Sequence, residues 1–187
     1  MISMLTISVV LVWFLSNPCR GYGLKPAAMK KSTTVPVKID LQPGHAIRRL
    51  HQISVGIFLQ ESGELGITPV QYAALQTVGN QPGLDQRTLA RAIALDTSTT
   101  GGVVDRLEAR AWLERRLAAE DRRVRQLFLT PAGAQVLADV LPAMLNTQAR
   151  ILAPLTERQR ADFMRLLLRL VDQNNELSRA PSEAPEP

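Results

Sequence analysis

The residues with chemistry to offer lie between Asp96 and Gly133, in the run DTSTTGGVVDRLEARAWLERRLAAEDRRVRQLFLTPAG. Ser98, Thr99 and Thr100 stand at or near the start of a short amphipathic segment. Hydroxyls at a helix start can bond phosphate oxygens or base edges, and the free N–H groups there favour a phosphate. Plain helix capping would engage one of the three. Arg106 follows on the same segment, where it either reaches a nucleic-acid backbone or is an exposed helix charge. Arg122, Arg123 and Arg125 cluster where two strand-like stretches meet, as phosphate-binding charge or as a solvated hairpin tip. Asp121 is read as an ion-pair partner that shapes the loop, because an acid beside phosphate is repelled. Taken in order, these groups suit duplex DNA: a helix N-terminus enters the major groove and a basic β-hairpin reaches the backbone and minor groove.

Positioning them requires a compact set of helices. A long helix is expected from about Gly44 to Gly63, with Ile47, Leu50, Ile53, Ile57 and Phe58 at helical spacing. Thr68-Pro69 is an N-cap followed by proline at the first helical position. That second helix carries Val70, Tyr72, Ala73, Leu75 and Val78 and stops at Asn80-Gln81-Pro82-Gly83. A third covers about Asp85 to Ile93, with Leu89, Ala90 and Ile93 inward. Asp96 or Thr97 caps a fourth, whose inner face is Thr100, Val103, Val104 and Leu107. After Ala111 the period becomes strand-like through Leu113-Glu114-Arg115-Arg116-Leu117 and Val124 to Leu129. The intervening Ala118 to Arg122 lacks glycine, which predicts a loose hairpin rather than a two-residue turn. Thr130-Pro131 opens a fifth helix with an apolar stripe from Val136 to Leu152, which Pro142 is expected to bend. Thr156 to Gln159 has capping-box spacing for a sixth, with Phe163, Leu166, Leu167, Leu170 and Val171 as its inner face.

Composition narrows the class. A chain of 187 residues can bury a core without disulfides or metals. Aromatic residues make up 4%, so aliphatic seams between helices carry the packing. The net charge of +5 and pI near 10.0 permit nucleic-acid binding without requiring it. Cys19 is the only cysteine, which excludes an intramolecular disulfide, and two histidines with one cysteine cannot close a structural zinc site. No nucleotide-binding loop, nucleophile–base pair or metal-ligand spacing is visible, so neither an enzyme nor a bound cofactor is expected.

The first 28 residues differ from the rest. Met1 to Leu15 is almost wholly apolar and is broken by Asn17-Pro18-Cys19-Arg20-Gly21. No Lys or Arg precedes the run, as a signal peptide would require, and the run is short for a membrane span of ~20 residues. Pro18 argues against lipidation of Cys19. A start site assigned too early is the alternative, with Met29-Lys30-Lys31-Ser32 as a cytoplasmic N-terminus. The expected organisation is an extension and arm over 1–43, one domain over 44–177, and a Pro/Glu/Ala-rich disordered tail over 178–187.

This order of elements resembles the MarR family of transcriptional regulators over about Gly44 to Leu177. The motifs that carry the resemblance are Leu89-Ala90, Val104-Asp105-Arg106-Leu107-Glu108, and Asp121-Arg122-Arg123 leading to Leu129-Thr130 and Gly133. The resemblance implies a mainly α fold with a small β-hairpin wing. The winged helix-turn-helix would cover about 68–129, and dimerisation helices about 44–64 and 130–177. It also implies a homodimer in which each winged unit reads half of a palindrome on double-stranded DNA, with Arg123 as the wing arginine that enters the minor groove. Two departures stand out. Gly101-Gly102 replace a long polar side chain frequent in the family, either for close approach to DNA or for packing. Ala111 stands where the family prefers glycine.

The resemblance further implies a small-molecule effector, typically an aromatic acid, held in a cleft between dimer helices and winged unit. His45, Arg49 and His51 would supply donors to a carboxylate, with Phe58 and Tyr72 lining the pocket. Taken singly, the helix-one polars read more readily as exposed charges or an inter-subunit ion pair, and Phe58 and Tyr72 as core. The run from Thr68 to Arg110 is also similar to the subgroup that represses nicotinate degradation, whose inducer is 6-hydroxynicotinate. Oxidant sensing is disfavoured because no cysteine follows Met29. The rival reading is a helical dimer scaffold that binds no DNA, for which the arginines of the wing would have no use.

Overall fold

A computed structural model describes residues 38–118, 124–178 and 180, and the architecture below concerns the compact unit Ile39–Pro187 within those limits. Arg122, Arg123, Asp121, the extension before Lys38 and the tail from Pro181 lie outside the described residues.

Six α-helices and two strands follow in chain order: α1 Pro43–Ser62, α2 Pro69–Asn80, α3 Gln86–Ala92, α4 Thr97–Ala109, β1 Leu113–Leu117, β2 Arg125–Leu129, α5 Pro131–Leu152 and α6 Glu157–Gln173. Local chemistry sets most of the starts. Thr68 and Gln71 form a reciprocal capping box at α2, and Thr156 and Gln159 form another at α6. The Asp85, Asp96 and Thr130 side chains accept the N–H of Thr88, Thr99 and Gly133 at α3, α4 and α5. Helix α5 runs unbroken through Pro142.

The ends of α3 and α4 are built alike. Leu95 N–H bonds the Ala90 carbonyl at 2.9 Å and Ala94 N–H bonds that of Arg91 at 3.1 Å. In the same pattern Trp112 N–H bonds Leu107 at 2.9 Å and Ala111 N–H bonds Glu108 at 2.8 Å. Both are Schellman stops. Each places alanine in the left-handed region, Ala94 at φ 52° and Ala111 at φ 53°. The turn that glycine would favour is therefore kept at the cost of local strain.

One core joins the three-helix unit to the wing. Leu75 and Val78 from α2, Leu89 from α3, Val103, Val104 and Leu107 from α4, Leu113 from β1 and Leu127 from β2 are all buried together. Phe58 from α1 and Val140 from α5 extend it. Strands β1 and β2 pair antiparallel, with Leu113 opposite Leu129 and Leu117 opposite Arg125. An isolated bridge beside β2, not expected from the sequence, adds to the wing. Asp85 bridges Gln126, Gly83 N–H bonds the Leu127 carbonyl at 2.8 Å and Leu127 N–H bonds the Leu84 carbonyl at 2.9 Å.

The inner face expected on α6 is only partly covered, with Phe163 and Leu167 half-buried. No α6 residue is buried, and Leu166 and Leu170 are 49% and 57% exposed. At 3.6 residues per turn its apolar side chains span more than half the circumference. Helix α1 exposes Ile47, Leu50 and Ile53, and α5 exposes Leu141 and Leu145. Helices α1 and α5 pack on each other within the protomer, clasped where Arg150 bonds Glu61 at 2.6 Å. That bond holds the Glu61 carboxyl below its ordinary pKa.

Candidate nucleic-acid interface

Helix α4 presents two unlike sides. Thr100, Val103, Val104 and Leu107 face the core. The opposite side carries Ser98, Gly102, Asp105 and Ala109, with Arg106 and then Thr99 at its edge. This corrects the expected hydroxyl set. Thr100 is 0% exposed and its Oγ1 donates to the Asp96 carbonyl at 2.9 Å, so it cannot touch a ligand outside the fold. Asp96 accepts the Thr99 N–H at 2.8 Å and the Thr99 hydroxyl at 2.6 Å. These bonds, the side-chain one first, hold the Asp96 carboxyl below its ordinary range, so the helix start carries a carboxylate as its cap. Ser98 is exposed at the same start.

Arg115 on β1 governs the charge of this helix. Its guanidinium bonds Asp105 at 2.6 Å and pairs with Glu108, both on α4, and reaches Gln86 on α3 at 3.4 Å. Burial works against the Arg115 charge, but the bonds and charges of Asp105 and Glu108 outweigh it and raise its pKa. Both acids of α4 are thus neutralised in place, while the wing strand is fastened to the helix. The sequence singled out Asp105 and Glu108 as a motif without giving them this task. The signal was present: two acids three apart on one helix, with a cation on the inward-facing phase of the next strand.

Arg106 is exposed and makes no ion pair among the described residues. Its guanidinium instead lies back along α4, 3.6 Å from where a Cβ on Gly102 would stand. A Cβ on Gly101 would meet Gln86 Nε2 at 3.0 Å, the end of a flexible side chain. Arg125 is exposed at the distal end of β2, opposite Leu117. Arg87 and Arg91, one turn apart on α3, are exposed as well and were missed from the sequence, where α3 was read for its apolar side alone. On the other face of the wing Arg116 stacks over Phe128 at 4.5 Å and pairs with Glu114.

The pieces are held together by close approaches. Thr130 Oγ1 donates to the Ala111 carbonyl at 2.6 Å and accepts the Gly133 N–H at 3.0 Å. Arg110 stacks on Trp112 at 3.7 Å and bonds the Gly66 carbonyl at 2.6 Å, tying the end of α4 to the connection between α1 and α2.

The five residues expected to hold an effector are not gathered into one place within the protomer. Phe58 is buried and packs on Tyr72, ring centres 6.2 Å apart, while the Tyr72 hydroxyl bonds Gln76. His51 is exposed two turns before Phe58 on that same side of α1. His45 and Arg49 lie on a different side of the helix, more than a quarter turn away, and His45 Nε2 faces Asp40 at 3.8 Å. Helical spacing alone separates the two groups, a signal available in the sequence and not used. Among the described residues no cluster of three His, Cys, Asp or Glu side chains could hold a metal, and no helix is long and apolar enough to cross a membrane.

Three packed helices, a small antiparallel wing and an outward-facing helix with its hydroxyl-rich start define a winged helix-turn-helix protein. The family model described as MarR family matches residues 65–124. The chain is 37% identical over 111 residues to a transcriptional regulatory protein for the hcr operon of Thauera aromatica, covering 59% of this chain and 67% of that one. It is 28% identical over 152 residues to the transcriptional repressor NicR of Pseudomonas putida, covering 77% of this chain and 96% of NicR. Among solved structures, BpsR of Bordetella bronchiseptica, whose DNA binding is regulated by 6-hydroxynicotinic acid, superposes with a TM-score of 0.70 at 28% identity, covering 74% of this chain and 99% of BpsR. The chain belongs to the MarR family of transcriptional regulators, and these relatives are regulators rather than enzymes.

Proposed function

We propose that the protein is a cytoplasmic homodimeric repressor that binds a palindromic operator and is released by a small aromatic carboxylate, with 6-hydroxynicotinate the first to test. The observation that carries the DNA-binding part is the outward side of α4, where both acids are neutralised by Arg115 and the Ser98 hydroxyl and Arg106 are left to meet DNA. Ser98, Thr99 and Arg106 would enter the major groove, with Arg122, Arg123 and Arg125 of the wing on the backbone and in the minor groove. Arg87 and Arg91 on α3 would add phosphate contacts, since the first helix of such a unit crosses the backbone.

The dimer is supported by α6, most of whose apolar side chains are exposed in the protomer, and by the exposed apolar rows of α1 and α5. The effector class is supported by similarity to BpsR and NicR. A ligand releases DNA only by favouring the non-binding form, so its affinity must differ with operator present and absent. With the effector residues split across α1, His51, Phe58 and Tyr72 form one candidate lining, and His45 and Arg49 can join it only across the dimer.

The test is a titration of operator with purified protein at several salt concentrations, with and without 6-hydroxynicotinate. Affinity should fall steeply with salt, because phosphate contacts release counterions, and should fall again with the ligand. A salt-independent complex would contradict DNA binding by these arginines. Ligand affinity unchanged by operator would contradict the release mechanism.

A further inference from the structure

We propose, resting on the DNA-binding reading above, that Arg106 is the residue that reads sequence in the major groove, taking the place left open by Gly102. Three observations converge on it. First, the outward line of α4 carries the small residues Ser98, Gly102 and Ala109, and its one long member, Asp105, is bonded by Arg115. Second, the charged side chains of α4 are Asp105 in that line, Arg106 beside it and Glu108 further round, and the two acids are both bound by Arg115. Arg106 alone of the three makes no ion pair among the described residues. Third, its guanidinium lies along the helix over bare backbone, 3.6 Å from the position of a Gly102 Cβ. A Cβ at Gly102 would meet it at ordinary contact distance, and a long side chain there would compete for the same space. A guanidinium carried there is directed at base edges, and its planar fork matches O6 and N7 of guanine. Gly102 is then a positioning residue, present because Arg106 uses the space.

The experiment separates base reading from phosphate contact. The full-length protein, Arg106→Lys, Arg106→Ala and Gly102→Gln are titrated against a recovered operator and a set of duplexes in which each base pair is changed in turn. Arg106 is exposed, so its variants should melt as the parent does, and Gly102→Gln, which replaces a glycine inside the helix, should melt no lower. The parent should lose about tenfold or more in affinity when one G·C pair in each half-site is changed. Arg106→Ala and Arg106→Lys should both lose that discrimination and keep preferences elsewhere, although lysine retains the charge. Gly102→Gln should weaken or move the same preference. A uniform loss over all duplexes, restored by lysine, would overturn the proposal and make Arg106 a phosphate contact. A parent with no preference at any base pair would instead overturn the DNA-binding reading itself.

Discussion

Gly133 approaches Trp112 so closely that a Cβ on it would stand 1.9 Å from the Trp112 carbonyl oxygen. That oxygen also accepts the Thr130 N–H at 3.2 Å, so the start of α5, the end of α4 and β1 meet at one point. Backbone cannot give way there as a flexible side chain would. Gly133→Ala is expected to destabilise the fold by about 3 kcal/mol or more, or to leave no soluble protein. An unchanged urea midpoint would contradict the packing described.

Ala111 gives the opposite sign. It holds φ 53° in the Schellman stop that ends α4. Ala111→Gly should relieve the left-handed strain, offset in part by the larger entropy of the unfolded chain, for a net gain of about 0.5–1 kcal/mol. Thermal denaturation of the two proteins side by side measures it. A lower melting temperature for the glycine variant would count against the geometry.

Much of this was legible in the chain. The six helices follow from apolar periodicity with Thr68, Asp96, Thr130 and Thr156 as starts, and the hairpin follows from the change of period after Ala111. The bridge of Asp85 to Gln126 was not, because a single bridged residue shows no period. Thr100 suits DNA contact by type, although its spacing also puts it on the inner face of α4. Its position on the inner side of α4 decides otherwise, where its hydroxyl is satisfied by the Asp96 carbonyl. The clamp of Arg115 on Asp105 and Glu108 was hidden for a related reason: alternating charge along a strand looks solvated until the pairing register turns one phase inward. For α6 the sequence identifies the apolar residues correctly but says nothing of which chain covers them.

Acid should loosen the caps. The Asp85 carboxyl is held below its ordinary range chiefly by the Thr88 N–H, and that of Asp96 chiefly by the Thr99 hydroxyl. For a lowered folded pKa, the linked stability is complete above the unfolded value of about 4 and is lost as pH falls through the folded values. Stability measured from pH 6 downward should therefore drop below about pH 4, and the Asp85→Asn, Asp96→Asn double variant should drop less over the same interval. Equal slopes for the two proteins would argue against these caps as the titrating groups.

The apolar arc of α6 should hold two chains together. Leu166→Glu with Leu170→Glu changes two side chains that touch no core in the protomer, so the winged unit should stay folded while the dimer dissociates. Sedimentation equilibrium should report the parent at twice the monomer mass and the double variant at the monomer mass. A variant that remains dimeric would move the interface away from α6.

DNA recognition by α4 and the wing is tested most directly by sequencing the DNA that the purified full-length protein selects from its own genome. The expected result is a small set of sites sharing an inverted repeat, with Arg123→Ala weakening binding to them by about 1–3 kcal/mol at fixed salt while the protein stays folded. Recovery of DNA with no common sequence, or equal affinity of parent and Arg123→Ala for a recovered site, would contradict it.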